Sequence, residues 1–245
     1  MKHNLSLFKS YDYCQSGKPR LTVVMIHGIA SNSATYDKAL VSFEANKGLA
    51  DIRFVTFDLL GAGNSLKTDE LDYNYDEQIE ALHQSISMLK IKTPLILVGH
   101  SLGTFIVSRY ASVYPDEVSR LILISAPIYT KQDFANPAFM VGMDAFKKAL
   151  SVKNPGILHE KSFTNSMNNI VLDQTNYEVL TKLKLPIIII YGDLDQLIAS
   201  FNIPKLQKDV PNIKAIKTHG KHGVTADKYT ELAKILAEDS NVKTL

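Results

Sequence analysis

The chain has 245 residues, 45% of them hydrophobic, with 27 basic and 25 acidic side chains and a formal net charge of +2. That length and apolar share support one large core, and the near-balanced charge, with no Lys/Arg cluster, argues against nucleic-acid binding. No apolar stretch reaches membrane-spanning length, residues 1–8 lack the apolar centre of a signal peptide, and Cys14 is alone, a small packing residue with no disulfide partner; these features predict a soluble cytoplasmic protein with no membrane partner.

Strand-like and helix-like patterns alternate along the chain. Residues 5–13 read as an antiparallel hairpin arm at a sheet edge. Apolar, β-branched runs at residues 21–26, 52–57, 95–98, 121–124 and 187–191 read as strands, and their near-continuous Val/Ile/Leu content suits burial on both faces. Residues 213–217 alternate more weakly and fit a strand nearer an edge. Residues 75–90 place Ile79, Leu82, Ile86 and Leu89 on one side of a helix, with Asn74 as its cap and Glu77 able to reach back in a capping box. Thr225 can cap a last helix carrying Tyr229, Leu232, Ile235 and Leu236. The alternation predicts an α/β fold, a mostly parallel central sheet with helices on both faces.

Residues 127–184 break the rhythm. They carry no strong strand but do carry Phe134, Phe139, Met140, Met143, Phe146 and Leu150, then Asn154-Pro155-Gly156 and a second helical stretch at residues 158–172. This predicts a small helical insertion in a core formed by residues 1–126 and 185–245. Its Met and Phe side chains either anchor it on the body or form the underside of a lid over a substrate pocket.

One five-residue run concentrates the chemical signal. Gly99-His100-Ser101-Leu102-Gly103 fits G-x-S-x-G, with the apolar run Leu95-Ile96-Leu97-Val98 before it and a helix-compatible segment after it. A strand, a sharp turn and a helix would lift the Ser101 hydroxyl onto a strained, exposed corner. A serine hydroxyl needs a base, a carboxylate to orient that base, and N–H groups aimed at a developing oxyanion. Of the seven histidines, His222 in Gly220-Lys221-His222-Gly223 sits in a loop before the last helix, with His219 its nearest competitor. Asp193 and Asp195 compete for the acid role just past the strand ending at Tyr191. The amides of Ile29, after the strand and turn Ile26-His27-Gly28, and of Leu102, next to the nucleophile, are the candidate oxyanion donors.

The order Ser101, then the acid, then His222 resembles that of the α/β-hydrolase superfamily, as do four segments spread over nearly the whole chain. They are His27-Gly28 after a strand, Asp58-Leu59-Leu60-Gly61-Ala62-Gly63-Asn64-Ser65, the Gly99–Gly103 elbow, and Gly192-Asp193-Leu194-Asp195 with Gly220-Lys221-His222. The resemblance implies Asp195 rather than Asp193 as the acid, through the pattern G-x-x-D, and His222 as the base, through G-x-H. Two departures stand out: Thr104 follows the elbow where many members carry another small residue, and the chain has no Trp. Ser101 at the elbow disfavours the haloalkane dehalogenases and epoxide hydrolases of the superfamily, which use an aspartate there.

The expected function is a serine esterase for small carboxylic esters, needing no metal or organic cofactor and leaving the oligomeric state open. Two alternatives share the fold: hydrolysis of a carbon–carbon bond, and a triad-bearing small-molecule sensor.

Overall fold

A computed structural model of the chain describes residues 5–137, 140, 143, 144, 148, 159–173, 175–195, 197, 198 and 200–238. Among these, seven strands form one sheet in the order β1-β3-β2-β4-β5-β6-β7: β1 Phe8–Tyr13, β2 Leu21–Ile26, β3 Ile52–Asp58, β4 Leu95–His100, β5 Arg120–Ile124, β6 Ile187–Gly192 and β7 Ile213–Thr218. All neighbours pair in parallel except β1 with β3. β1 is therefore a single antiparallel edge strand; it does not fold back on its neighbour in sequence as a hairpin arm would. β7 closes the other edge, and its half-exposed side chains follow from having a partner on one side only.

The period-two geometry of a strand sorts the sheet's side chains onto two faces. Val24, Ile26, Val55, Leu97, Leu121 and Ile189 face one core with α2 (Tyr75–Met88) and α3 (Leu102–Val113). Val23, Met25, Phe54, Ile96, Ile122 and Ile190 face the other, with α1 (Asp37–Glu44) and Leu232 and Leu236 of the C-terminal helix, Ala226–Glu238. Burial on both faces is the reason the central strands read as unbroken apolar runs.

Helix α2 starts where its cap predicts, with Glu77 N–H donating to Asn74 Oδ1 at 3.1 Å. Glu77 does reach back, but its carboxylate accepts from Asp72 N–H at 3.2 Å, two residues beyond the capping-box partner. The helix ends at Met88, and Lys90 takes φ +50°. Cys14 is half-exposed at the end of β1, its thiol 3.6 Å from the Ala50 carbonyl, and not a core residue.

Between β5 and β6 the described residues include α4 (Lys131–Phe134), α5 (Glu160–Ser166), a π-helical turn at Met167–Val171 and α6 (Asn176–Lys182). Met143, Met167, Ile170 and Val171 are buried in the core shared with α3. Phe139, Phe146, Leu150 and Asn154-Pro155-Gly156 lie outside the described residues. The segment is tied to the body by polar contacts as well: Arg109 on α3 donates to Asp173 at 2.9 Å, and the Tyr75 hydroxyl donates to the same carboxylate oxygen at 2.9 Å. Helix α7 (Asn202–Asp209) follows β6, and the C-terminal helix is α8. No helix among the described residues is long and apolar enough to cross a membrane.

Candidate active site

The sheet order reverses at β2 and β4: β2 leads to β3 on one side, while the chain continues to β4 on the other. Crevices for ligands form at the carboxyl ends of strands at such a switch point. Ile29 follows β2 there and Ser101 follows β4.

Ser101 sits at φ +51°, ψ −118°, a backbone conformation that costs a residue with a Cβ of order 1–3 kcal/mol. Its surroundings hold it there. Ser101 N–H donates to the Ile124 carbonyl at 3.0 Å, and the Ser101 carbonyl accepts from both the N–H and the hydroxyl of Thr104, at 2.9 and 2.6 Å. Thr104, a departure from the usual pattern, thus adds a lock to the turn. The glycines permit the close approach: a Cβ on Gly99 would lie 2.5 Å from the Gly103 carbonyl oxygen, and one on Gly103 would lie 2.3 Å from that of Ile26.

His222 comes in from the loop after β7. Its Nε2 lies 2.9 Å from Ser101 Oγ, and its Nδ1 lies 2.9 Å from Asp195 Oδ2 and 3.1 Å from Oδ1. With a carboxylate facing Nδ1, that nitrogen carries the proton and Nε2 is left to accept from the serine hydroxyl. Asp195 is buried, and its Oδ1 also accepts from Leu197 N–H at 3.0 Å. Burial alone would raise the Asp195 carboxyl; the hydrogen bonds from His222 and Leu197, with the positive charge of Lys228, outweigh it and hold the group below the usual carboxylate range. The loops carrying Asp195 and His222 are docked on each other, because a Cβ on Gly192 would lie 1.9 Å from the Gly220 carbonyl oxygen.

The competing residues do something else. His219 and Asp193 pair with each other at 3.1 Å, with the His219 side chain 80% exposed. The structure brings Ser101, His222 and Asp195 into one hydrogen-bonded line and leaves Asp193 and His219 as a hydrogen-bonded pair at the surface.

Leu102 opens α3, where its N–H has no acceptor within the helix. Ile29 and Leu102 line one crevice together with Leu60, Gln78, Ser162 and Phe163. The Ile29 loop is braced from below. His27 donates from Nδ1 to the Gly28 carbonyl at 2.8 Å and accepts at Nε2 from Leu59 N–H at 2.9 Å, which fixes a neutral tautomer; burial lowers its pKa in the same sense. Asp58 accepts from Ser33 N–H and Asn64 N–H, each at 2.8 Å, joining the same two loops.

These observations meet in one family. The family model for the alpha/beta hydrolase fold matches residues 22–154. The chain belongs to the alpha/beta hydrolase fold family. It is 33% identical over 132 residues to the probable lysophospholipase BODYGUARD 2 of Arabidopsis thaliana, a match covering 54% of this chain but only 28% of that protein's length. It is 22% identical over 276 residues to the monoacylglycerol lipase ABHD6 of Homo sapiens, covering 94% of this chain and 79% of that protein. In fold it is similar to an esterase from Exiguobacterium antarcticum, with a TM-score of 0.72, 18% identity, and coverage of 95% of this chain and 94% of that one.

Within this alpha/beta hydrolase two supporting residues escaped the sequence reading. His100, the second residue of the G-x-S-x-G run, is buried and donates from Nε2 to the carbonyl of His222 at 2.9 Å. Lys228, on α8, is fully buried. A signal for the second was present: Lys228, Leu232 and Leu236 recur at intervals of four on one helix face, so a lysine interrupts an apolar stripe.

His100 also carries a pH dependence. Burial, helped by the nearby His222 ring, pushes its pKa down to about 3. An unfolded chain takes up this proton near about 6.5. Between the two values the unfolded state binds more protons, so stability falls as pH falls. Going from pH 7 to pH 5, His100 alone is expected to remove about 2 kcal/mol. Urea melts of the wild type and His100→Gln at both pH values check this: the wild type should lose about 2 kcal/mol more than the variant, and equal losses would contradict it.

Proposed function

We propose that the protein is a serine hydrolase cleaving small carboxylic esters through an acyl-enzyme on Ser101. The observation that carries this reading is the continuous line from Ser101 Oγ through the His222 ring to the buried Asp195 carboxylate, with both contacts at 2.9 Å. In it, Ser101 Oγ attacks the ester carbonyl carbon while His222 Nε2 takes the hydroxyl proton. The Ile29 and Leu102 N–H groups stabilise the oxyanion of the tetrahedral intermediate. The intermediate collapses, the C–O bond to the alcohol breaks, and His222 returns its proton to that leaving oxygen. Water then attacks the acyl-enzyme with His222 again as base, and Ser101 is regenerated with release of the acid. Asp195 holds the ring's tautomer and stabilises its protonated form throughout. Relatives named as lipases or esterases act on esters, which supports the same bond as the target here.

In this reading the insertion at residues 127–184 is a lid. Ser162 and Phe163 of α5 close the crevice beside the two oxyanion amides. That crevice leaves only about 20 Å³ open to water, well below the usual range for ligand pockets. A short acyl group is therefore the expected substrate. In a series of p-nitrophenyl esters, kcat/KM is expected to peak at acyl chains of about two to four carbons and to fall at least about tenfold by twelve. A fluorophosphonate should label Ser101. A folded wild-type protein that resists labelling would sink the proposal, and turnover of ring-opened dienones with esters inert would replace it with carbon–carbon hydrolysis.

A further inference from the structure

Three consecutive carbonyls around the proposed base are each held by a buried side chain. The His222 carbonyl accepts from His100 Nε2 at 2.9 Å. The Lys221 and Gly223 carbonyls both accept from Lys228 Nζ, the latter at 2.9 Å. The backbone of residue 222 is thus fixed at its centre by the nucleophile's neighbour and on both flanks by one ammonium group.

Lys228 is an unfavourable residue for its position on two counts. Its side chain has no solvent exposure, and burying an ammonium group costs several kcal/mol unless it is paired and hydrogen-bonded. It also lies in the first turn of α8, where the helix dipole disfavours a cation. Leucine would extend the stripe of Leu232 and Leu236 without either cost. Burial lowers the Lys228 pKa, and Asp195 and Asp227 offset part of that effect, so the acid of the proposed triad is also a charge partner of this lysine.

We infer that Lys228 is a positioning residue for His222, clamping the loop on either side of the imidazole so that Nε2 stays within hydrogen-bond reach of Ser101. The inference rests on the proposed role of His222 as base. It assigns Lys228 no contact with substrate; the lysine acts only through the backbone of residues 221–223. The geometry has a chemical purpose. The ring must swing neither away from Ser101 nor out of line with Asp195 during two proton transfers, and a 1 Å misplacement is enough to cost about 10²-fold in rate.

The test compares Lys228→Met, which keeps an unbranched apolar stem and loses every donor, with Lys228→Arg, which keeps donors. With p-nitrophenyl acetate, Lys228→Met is expected to lower kcat by about 10²-fold while KM moves by less than about threefold. Lys228→Arg is expected to regain at least about tenfold of that loss. A second readout is independent of turnover: the His222 Nδ1–H proton, hydrogen-bonded to Asp195, should give a downfield NMR signal in wild type and Lys228→Arg that broadens in Lys228→Met. Wild-type kcat and an unchanged signal in folded Lys228→Met would overturn the inference. So would loss of the fold in both variants, since the lysine would then serve core stability. Failure of the esterase reading is separable: it would show as an unlabelled wild-type Ser101, with the NMR comparison still deciding whether Lys228 holds the ring.

Discussion

Ser101→Ala is expected to lower kcat for a short-chain ester by about six orders of magnitude, the scale seen when the nucleophile of a triad hydrolase is removed. The residual rate would come from the oxyanion amides and binding alone. The side-chain change is small and its surroundings explain why the fold should persist: the contacts that shape the turn run through the Ser101 backbone N–H and carbonyl. Melting of Ser101→Ala should therefore match the wild type. Ser101→Gly separates the two roles of this position. At φ +51° and ψ −118° a glycine relieves the strain, so the variant should be inactive yet more stable by about 1 kcal/mol, part of the 1–3 kcal/mol stored by such a conformation. Denaturant melts and initial rates measured on the same preparations check both halves. An alanine variant retaining more than a hundredth of the wild-type kcat would show that another group is the nucleophile.

Asp195→Asn should cost about 10⁴-fold in kcat, and Asp193→Asn should stay within about threefold of wild type. The two positions are two residues apart, yet their surroundings differ in kind. Asp195 has a side chain shielded from solvent and accepts from His222 Nδ1 at 2.9 Å. An amide there can present its NH₂ to Nδ1, which would turn the ring to the other tautomer and place a proton on Nε2, where a base is needed. Asp193 contacts His219 at the surface, where even a full ion pair would contribute little. Steady-state kinetics of the two variants side by side decide the acid; equal losses, or the reverse order, would reassign it.

Much of this was legible along the chain because period and punctuation are local. The five apolar runs became central or near-central strands, since residues buried on both faces leave an unbroken Val/Ile/Leu signature. The weak alternation at β7 matched an edge. The helices α1 and α7 were missed. Both are eight residues long, and each buries only two or three apolar side chains, Ala39, Leu40 and Phe43 in one, Ile203 and Leu206 in the other. Such short patterns hardly rise above chance. The expected hairpin arm was wrong in its partner: alternation identifies an edge strand but carries no information on which strand it joins.

Residue types and their order determined the nucleophile candidate, the donors beside it, and a choice between two acids and two histidines. A turn such as Gly99–Gly103 is encoded within five residues, because only glycines fit where backbone meets backbone at under 3 Å. The resemblance in order and spacing already implied Asp195 over Asp193 and His222 over His219, but the physical reason for that choice belongs to tertiary structure. It is the docking of Gly192 against Gly220, which turns one acid–histidine pair inward to Ser101 and the other out to water. The part played by Lys228 was decided there too. A lysine on an apolar stripe is only an anomaly in sequence, and it acquires a function once the fold brings the carbonyls of Lys221 and Gly223 to its ammonium group.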